Sequence, residues 1–137
     1  MRLPRRAWWW PVLLMIAITL VSGGNVPAVP RTPLFATDKI VHFCVFAALA
    51  TAWIRCRPGG RLWPWVAWLL TTAFGLADEL HQLSVPGRYF EWEDFLADSL
   101  GAAVAAALYA GWAPWRHLLE LKLNSARRET GDCGKPV

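Results

Sequence analysis

Four stretches of this chain contain no Asp, Glu, Lys or Arg: Ala7–Pro30, Ile40–Ile54, Leu62–Ala77 and Ser99–Trp115. A helix that crosses a bilayer needs about 20 largely apolar residues, within a range of about 17–25. The second and third stretches are slightly short by charge-free length. They reach the range when a flanking residue or two joins each end, because Arg55 and Arg61 can extend their head groups to water. A soluble helical bundle is the competing architecture, and its helices would need polar faces toward solvent. Leu13–Val21, Trp63–Phe74 and Ala102–Tyr109 offer almost no polar residue. Only 18 % of the residues are charged, against about 25 % in an ordinary soluble domain. The expectation is an all-α fold, a polytopic transmembrane helical bundle with four spans. Residues 1–115 then form one membrane domain and 116–137 a cytoplasmic tail.

The basic residues set the direction. Arg2, Arg5 and Arg6 precede the first stretch, Arg55, Arg57 and Arg61 lie between the second and third, and Arg116, Lys122, Arg127, Arg128 and Lys135 follow the fourth. With four spans all of these fall on one side, while the other side holds Arg31, Lys39 and Arg88. Lys and Arg in short loops mark the cytoplasm, so both termini face in and the protein is a multi-pass inner-membrane protein. The net charge of +4 is read as this topology signal and not as a nucleic-acid surface. Trp8, Trp9, Trp10, Trp53, Trp63, Trp65, Trp112 and Trp115 lie near the same inner level, the depth that amphipathic rings favour. The first stretch also has the layout of a signal peptide, with Val21-Ser22-Gly23-Gly24 as its small-residue end. Cleavage there would leave the sidedness of the remaining chain unchanged.

Cysteines make no disulfide framework. Cys44 and Cys56 would stand about 18 Å apart along one helix, too far to bridge, and Cys133 lies in the polar tail. Three free thiols are expected. Ser22–Thr37, rich in Gly and Pro, reads as an irregular outer loop, Arg57–Arg61 as a tight inner turn, and Pro86-Gly87 as an outer turn. His117–Leu123 is apolar with interspersed charge and suits the inner membrane surface, and Ser125–Val137 reads as disordered.

The acids are placed unevenly. Asp38, Asp78, Glu79, Glu91, Glu93, Asp94 and Asp98 are outer, as are His42 and His81, whereas Glu120, Glu129 and Asp132 are inner. Asp38 and His42 are i, i+4, as are Asp94 and Asp98, and Asp78-Glu79 stand one turn from His81-Gln82. Residues three or four apart on a helix are neighbours. Ionisable groups at such depth are costly unless they face the bundle interior or a water-filled cavity. Plainer roles compete: Thr37 or Asp38 as a helix cap, and Glu91, Glu93 and Asp94 as acids suited to a positive helix N-terminus. For His42 and Asp98 the plain role is a structural link between helices. Asp78 and Glu79 sit at a helix C-terminus, where the dipole disfavours acids, which points to function. Ala97, Gly101 and Ala105 form a small-residue stripe of the kind that lets helix backbones approach.

Read together, these residues resemble a known family. Asp38-Lys39-Ile40-Val41-His42-Phe43 resembles the D-K-x-x-H-F opening of VanZ-like membrane proteins. Asp78-Glu79-Leu80-His81-Gln82, Pro86-Gly87-Arg88, and Asp94 with Ala97-Asp98 and Gly101 follow in order, so the resemblance covers about 38–109. One departure is Asp98, where many relatives carry Asn. The resemblance implies a multi-helix membrane protein. Because the family takes its name from a teicoplanin-resistance protein, it also implies a link to the cell envelope and glycopeptide antibiotics.

Two functions fit the same residues. A non-catalytic protein would bind an envelope lipid, lipid-linked glycan or glycopeptide at the outer face. An enzyme acting there would pair His42 with Asp38, Asp78 or Glu79 for proton transfer. In either case Lys39, His81, Gln82, Arg88, Asp94 and Asp98 are candidate binding residues, and the planar fork of Arg88 suits a phosphate or carboxylate. Asp, Glu and His together can hold a divalent metal, but the sequence names no metal or cofactor. Membrane lipids are the expected partners.

Overall fold

The computed structural model describes residues 8–24, 35–57 and 60–120, giving the backbone alone at 35–37. Arg2, Arg5 and Arg6, the Pro-rich part of the outer loop, Pro58-Gly59 and the tail with Cys133 lie outside the described residues. Among the described residues there are five helices and no strand: α1 (Trp9–Ser22), α2 (Phe35–Cys56), α3 (Trp63–Gln82), α4 (Trp92–Gly111) and α5 (Ala113–Glu120). The fold is all-α. Among the described residues Cys44 and Cys56 take part in no disulfide.

The helices do not end where the apolar runs end. α2 starts at Phe35, so Asp38 lies inside its first turn and does not cap it. α3 continues past Ala77 to Gln82, and α4 begins at Trp92, well before the charge-free run. The added turns carry Asp78, Glu79, Gln82, Asp94 and Asp98, all buried. Their polar groups find partners inside the bundle, so helix can continue through them.

One helix, spanning Asp38–Cys56 at a mean hydropathy of 1.4, is by itself long and apolar enough to cross a membrane. α4 and α5 pass that test only together, and they are bent by 93° to one another. α1 has 14 residues, about 21 Å of helix against a hydrocarbon core of about 30 Å. α3 and α4, with 20 residues each, have the length but carry the acids. Length and hydropathy therefore identify one span, or two, where the charge-free runs point to four.

The faces of α3 and α4 are arranged with polarity inward. On α3, Leu69, Leu76 and Leu80 are exposed, while Thr71, Gly75, Asp78 and Gln82 on the opposite side are buried. On α4, Leu96, Leu100 and Val104 are exposed, while Asp94, Asp98, Gly101 and Ala105 are buried. A water-soluble helix reverses this pattern.

α2 packs chiefly on α4, which in turn packs on α3. Small residues set the spacing. Ala50, Ala102 and Ala105 form one core cluster, flanked by Ala47 and Trp68, and the Trp68 indole donates to the Ser99 carbonyl at 3.3 Å. At the other end Ile54, Ala67 and Tyr109 form a second cluster with Trp53, Trp115 and Leu119. Tyr109 donates to Glu120 at 2.8 Å, tying α5 back to α4. Trp8 lies 5.9 Å from Trp53 and 6.0 Å from Trp63, so α1, α2 and α3 share a tryptophan-rich end near Arg55, Arg57 and Arg61. The closest approach is at Gly101, where a Cβ would collide with the Phe43 carbonyl oxygen and stand 2.9 Å from its carbon. The stripe at Ala97, Gly101 and Ala105 thus lets α4 meet the backbone of α2.

Gly101→Ala should lower stability by about 1–3 kcal/mol, the usual cost of overpacking. Gly111, where a Cβ meets nothing within 4 Å, is the control. Thermal unfolding of the two alanine variants in detergent should give a lower midpoint for Gly101→Ala only. Equal midpoints would contradict the close helix contact.

Candidate functional site

The end of the bundle opposite the tryptophans carries the acids. His42 faces α4 from α2, and its Nδ1 lies 2.9 Å from Asp98 Oδ1. Asp98 is fully buried. An ionised Asp98 carboxylate only accepts, so the shared proton sits on Nδ1; Nε2 carries the lone pair in the neutral ring and a second proton in the imidazolium. Nε2 points toward Asp94 Oδ2 at 3.9 Å, beyond hydrogen-bond reach. Phe46, one turn along α2, stacks on the imidazole with centroids 6.4 Å apart and packs in turn on Phe74. Gly75 leaves room for this floor, since a Cβ there would be 3.0 Å from Phe46 and 3.2 Å from Asp98.

Lys39, one turn before Phe43, donates to Asp94 Oδ1 and, at 3.1 Å, to Glu91 Oε2. Its ammonium therefore clamps α2 to the start of α4. Asp38 is exposed, and its carboxylate together with His42 and Asp94 offers three ligand atoms within 4.8 Å of one another.

α3 supplies the other half. Glu79, 1 % exposed, accepts the Glu91 backbone N–H at 3.0 Å and the Gln82 amide at 3.4 Å. Asp78 accepts from Ser22 of α1 at 2.8 Å and from Gln82 at 3.4 Å. Both carboxylates are thus engaged in joining helices. The result is one connected polar network that runs from Ser22 through α3 and Glu91 to Lys39, Asp94, His42 and Asp98.

Arg88 is held at the rim by a tight turn. Its backbone N–H donates to the Val85 carbonyl at 3.1 Å, across Pro86 and a Gly87 with φ +84°. That is the geometry in which Gly is needed at the third turn position. One guanidinium nitrogen donates to the Gln82 amide oxygen at 3.4 Å. Among the described residues Arg88 makes no ion pair, neither with Glu79 nor with Asp94. Just after it in the chain, Phe90, Trp92 and Phe95 form an aromatic group.

The structure thus brings Lys39, His42, Asp78, Glu79, Gln82, Arg88, Asp94 and Asp98 into one network, with Asp38 at its edge. It leaves His81 out: the side chain is exposed beside Gly23 and makes no hydrogen bond among the described residues. Sequence reasoning missed Ser22, which carries no pattern of its own, and the double role of Glu91, which reads as an ordinary acid at a helix start. Phe46 was findable, being i, i+4 from His42.

This ordered set of motifs has a counterpart among known proteins. The VanZ/LLP1 family model matches residues 4–114, most of the chain. No curated protein and no solved structure gives a significant match. The matched region contains all four network-forming helices, and the chain belongs to the VanZ/LLP1 family.

Proposed function

We propose that this chain is a multi-pass inner-membrane protein with four spans and both termini in the cytoplasm, its polar network facing the extracytoplasmic side. The inward polarity of α3 and α4 supports this, because their outer faces are apolar where lipid would lie. Asp78, Glu79, Asp94 and Asp98 lower the mean hydropathy of these helices while buried inside the bundle, and the exposed Glu93 sits in the first turn of α4. Arg55, Arg57 and Arg61 gather at the tryptophan-rich end, the sidedness that positive residues favour. On this reading α5, nearly perpendicular to α4, lies along the inner membrane surface. Residues 1–115 form the membrane domain and 116–137 the tail, with α5 linking the two.

At the outer face the protein binds, or acts on, the headgroup of an envelope lipid, lipid-linked glycan or glycopeptide. The observation that carries this reading is Arg88. Its charge is held by a neutral amide at the rim of a membrane-embedded network, with no carboxylate paired to it among the described residues. A guanidinium so placed keeps donors for a phosphate or carboxylate. The association with glycopeptide resistance implied by the family's name belongs to the same outer-face reading.

Topology is checked by cysteine labelling in a background of Cys44→Ser, Cys56→Ala and Cys133→Ser. Tyr89→Cys should react with an impermeant reagent from outside, and Leu62→Cys only after the membrane is opened. The reverse pattern contradicts the orientation.

Function is checked by comparing envelope lipids of a deletion strain with those of strains restored by wild type, Arg88→Lys or His42→Ala at equal protein level. The wild type should restore the profile. Arg88→Lys should insert normally yet restore little, because lysine keeps the charge but loses the two-pronged contact. Full restoration by the lysine variant contradicts headgroup recognition by Arg88.

A further inference from the structure

The three ligand atoms beside Lys39 admit a more specific assignment, which rests on the reading of this end of the bundle as the functional site. We propose that His42 Nε2, Asp94 Oδ2 and a carboxylate oxygen of Asp38 bind one divalent transition-metal ion, of the class that accepts imidazole together with carboxylate.

Four features support the assignment. Asp98 fixes the tautomer of the neutral ring, since its contact to Nδ1 leaves Nε2 as the electron-pair donor once the second proton is displaced. A carboxylate behind a metal-binding histidine is the usual way such a ring is oriented and made more basic. Asp94 is buried to 7 % exposure, and Lys39 donates to its Oδ1, while no hydrogen bond to Oδ2 is made among the described residues. With the imidazole neutral, that oxygen and Nε2 are two electron-pair donors facing each other across 3.9 Å. Without a proton or a cation between them, such a pair is unfavourable.

The separation also suits an ion. Two ligands about 2.1 Å from one metal stand about 3–4 Å apart over the angles that zinc-like ions accept. The set of three, spread within 4.8 Å, needs only a small side-chain closure. Asp38 is exposed, so an ion can arrive from water and keep a water ligand on that side. Charge acts the same way. Lys39 offers one positive charge to Glu91 and Asp94, which leaves Asp38 and Asp98 to make the surroundings of His42 acidic. A dication offsets that excess.

An ion held there would place a positive centre within the network that Arg88 closes at its rim. Both groups favour the same ligand chemistry, an anionic oxygen. This chain's residues supply the ordering: Asp98 and Phe46 hold the imidazole, and Lys39 holds Asp94.

The test uses the full-length chain purified in detergent, with Cys44→Ser, Cys56→Ala and Cys133→Ser to remove thiol ligands. The protein is stripped with EDTA and titrated with zinc, with magnesium as the comparison. About one zinc per chain should bind, and magnesium should compete poorly. Asp38→Asn is the informative variant, because Asp38 is exposed and holds no helix in place. It should keep the metal-free thermal midpoint and lose at least about tenfold in zinc affinity. Asp98→Asn should weaken zinc by about 10–100-fold through loss of the group behind the ring. Undiminished zinc binding by Asp38→Asn, or none by the parent chain, overturns the assignment. The lipid-restoration experiment is independent of this result. Restoration by wild type but not by Arg88→Lys, with no zinc bound, would remove the metal and leave the headgroup site standing.

Discussion

Burying charge is the constraint on which this structure depends. Asp78, Glu79, Asp94 and Asp98 lie inside a bundle whose exposed faces on α3 and α4 carry leucine and valine. Removing an ionised carboxylate from water costs several kcal/mol unless it finds donors. Each of these acids does: Ser22 and Gln82 for Asp78, the Glu91 backbone and Gln82 for Glu79, Lys39 for Asp94, His42 for Asp98. The donors come from α1, α2, α3 and the residue that precedes α4. Satisfying the acids therefore fixes the helices relative to one another, and the polar groups serve as the register of the fold.

Close packing makes that register possible. The imidazole of His42 reaches Asp98 because α2 and α4 approach to backbone contact at Gly101, one turn below. Gly75 clears the space in which Phe46, Phe74 and Asp98 meet. The small residues and the ionisable ones are thus two parts of one device, since wider helix spacing would leave the acids without partners.

Much of this was legible in the sequence. Charge-free runs showed that helices dominate, and i, i+4 spacing placed Asp38 with His42 and Asp94 with Asp98. Helix ends were less legible, because apolar runs stop where polar residues begin, whereas α3 and α4 continue through Asp78–Gln82 and Trp92–Asp98. A residue such as Glu79 reads as a helix-terminating acid until its partner, the backbone of Glu91, is known. Ser22 was illegible for the same reason: its role depends on the packing of α1 against α3, which no local pattern records. Arg88 was placed on a turn by Pro86-Gly87, and among the described residues its side-chain partner is the neutral Gln82. His81 shares its turn with Asp78 and Gln82 yet points away from them, a matter of helical phase.

The central claim is that His42 and Asp98 interact across α2 and α4 and stabilise the bundle as a pair. A double-mutant cycle of His42→Ala and Asp98→Ala, read by reversible unfolding in detergent or bicelles, measures this directly. The expected coupling is about 1.5–3 kcal/mol, as for a hydrogen bond to a charged group. Additive effects, with a coupling near zero, would contradict it.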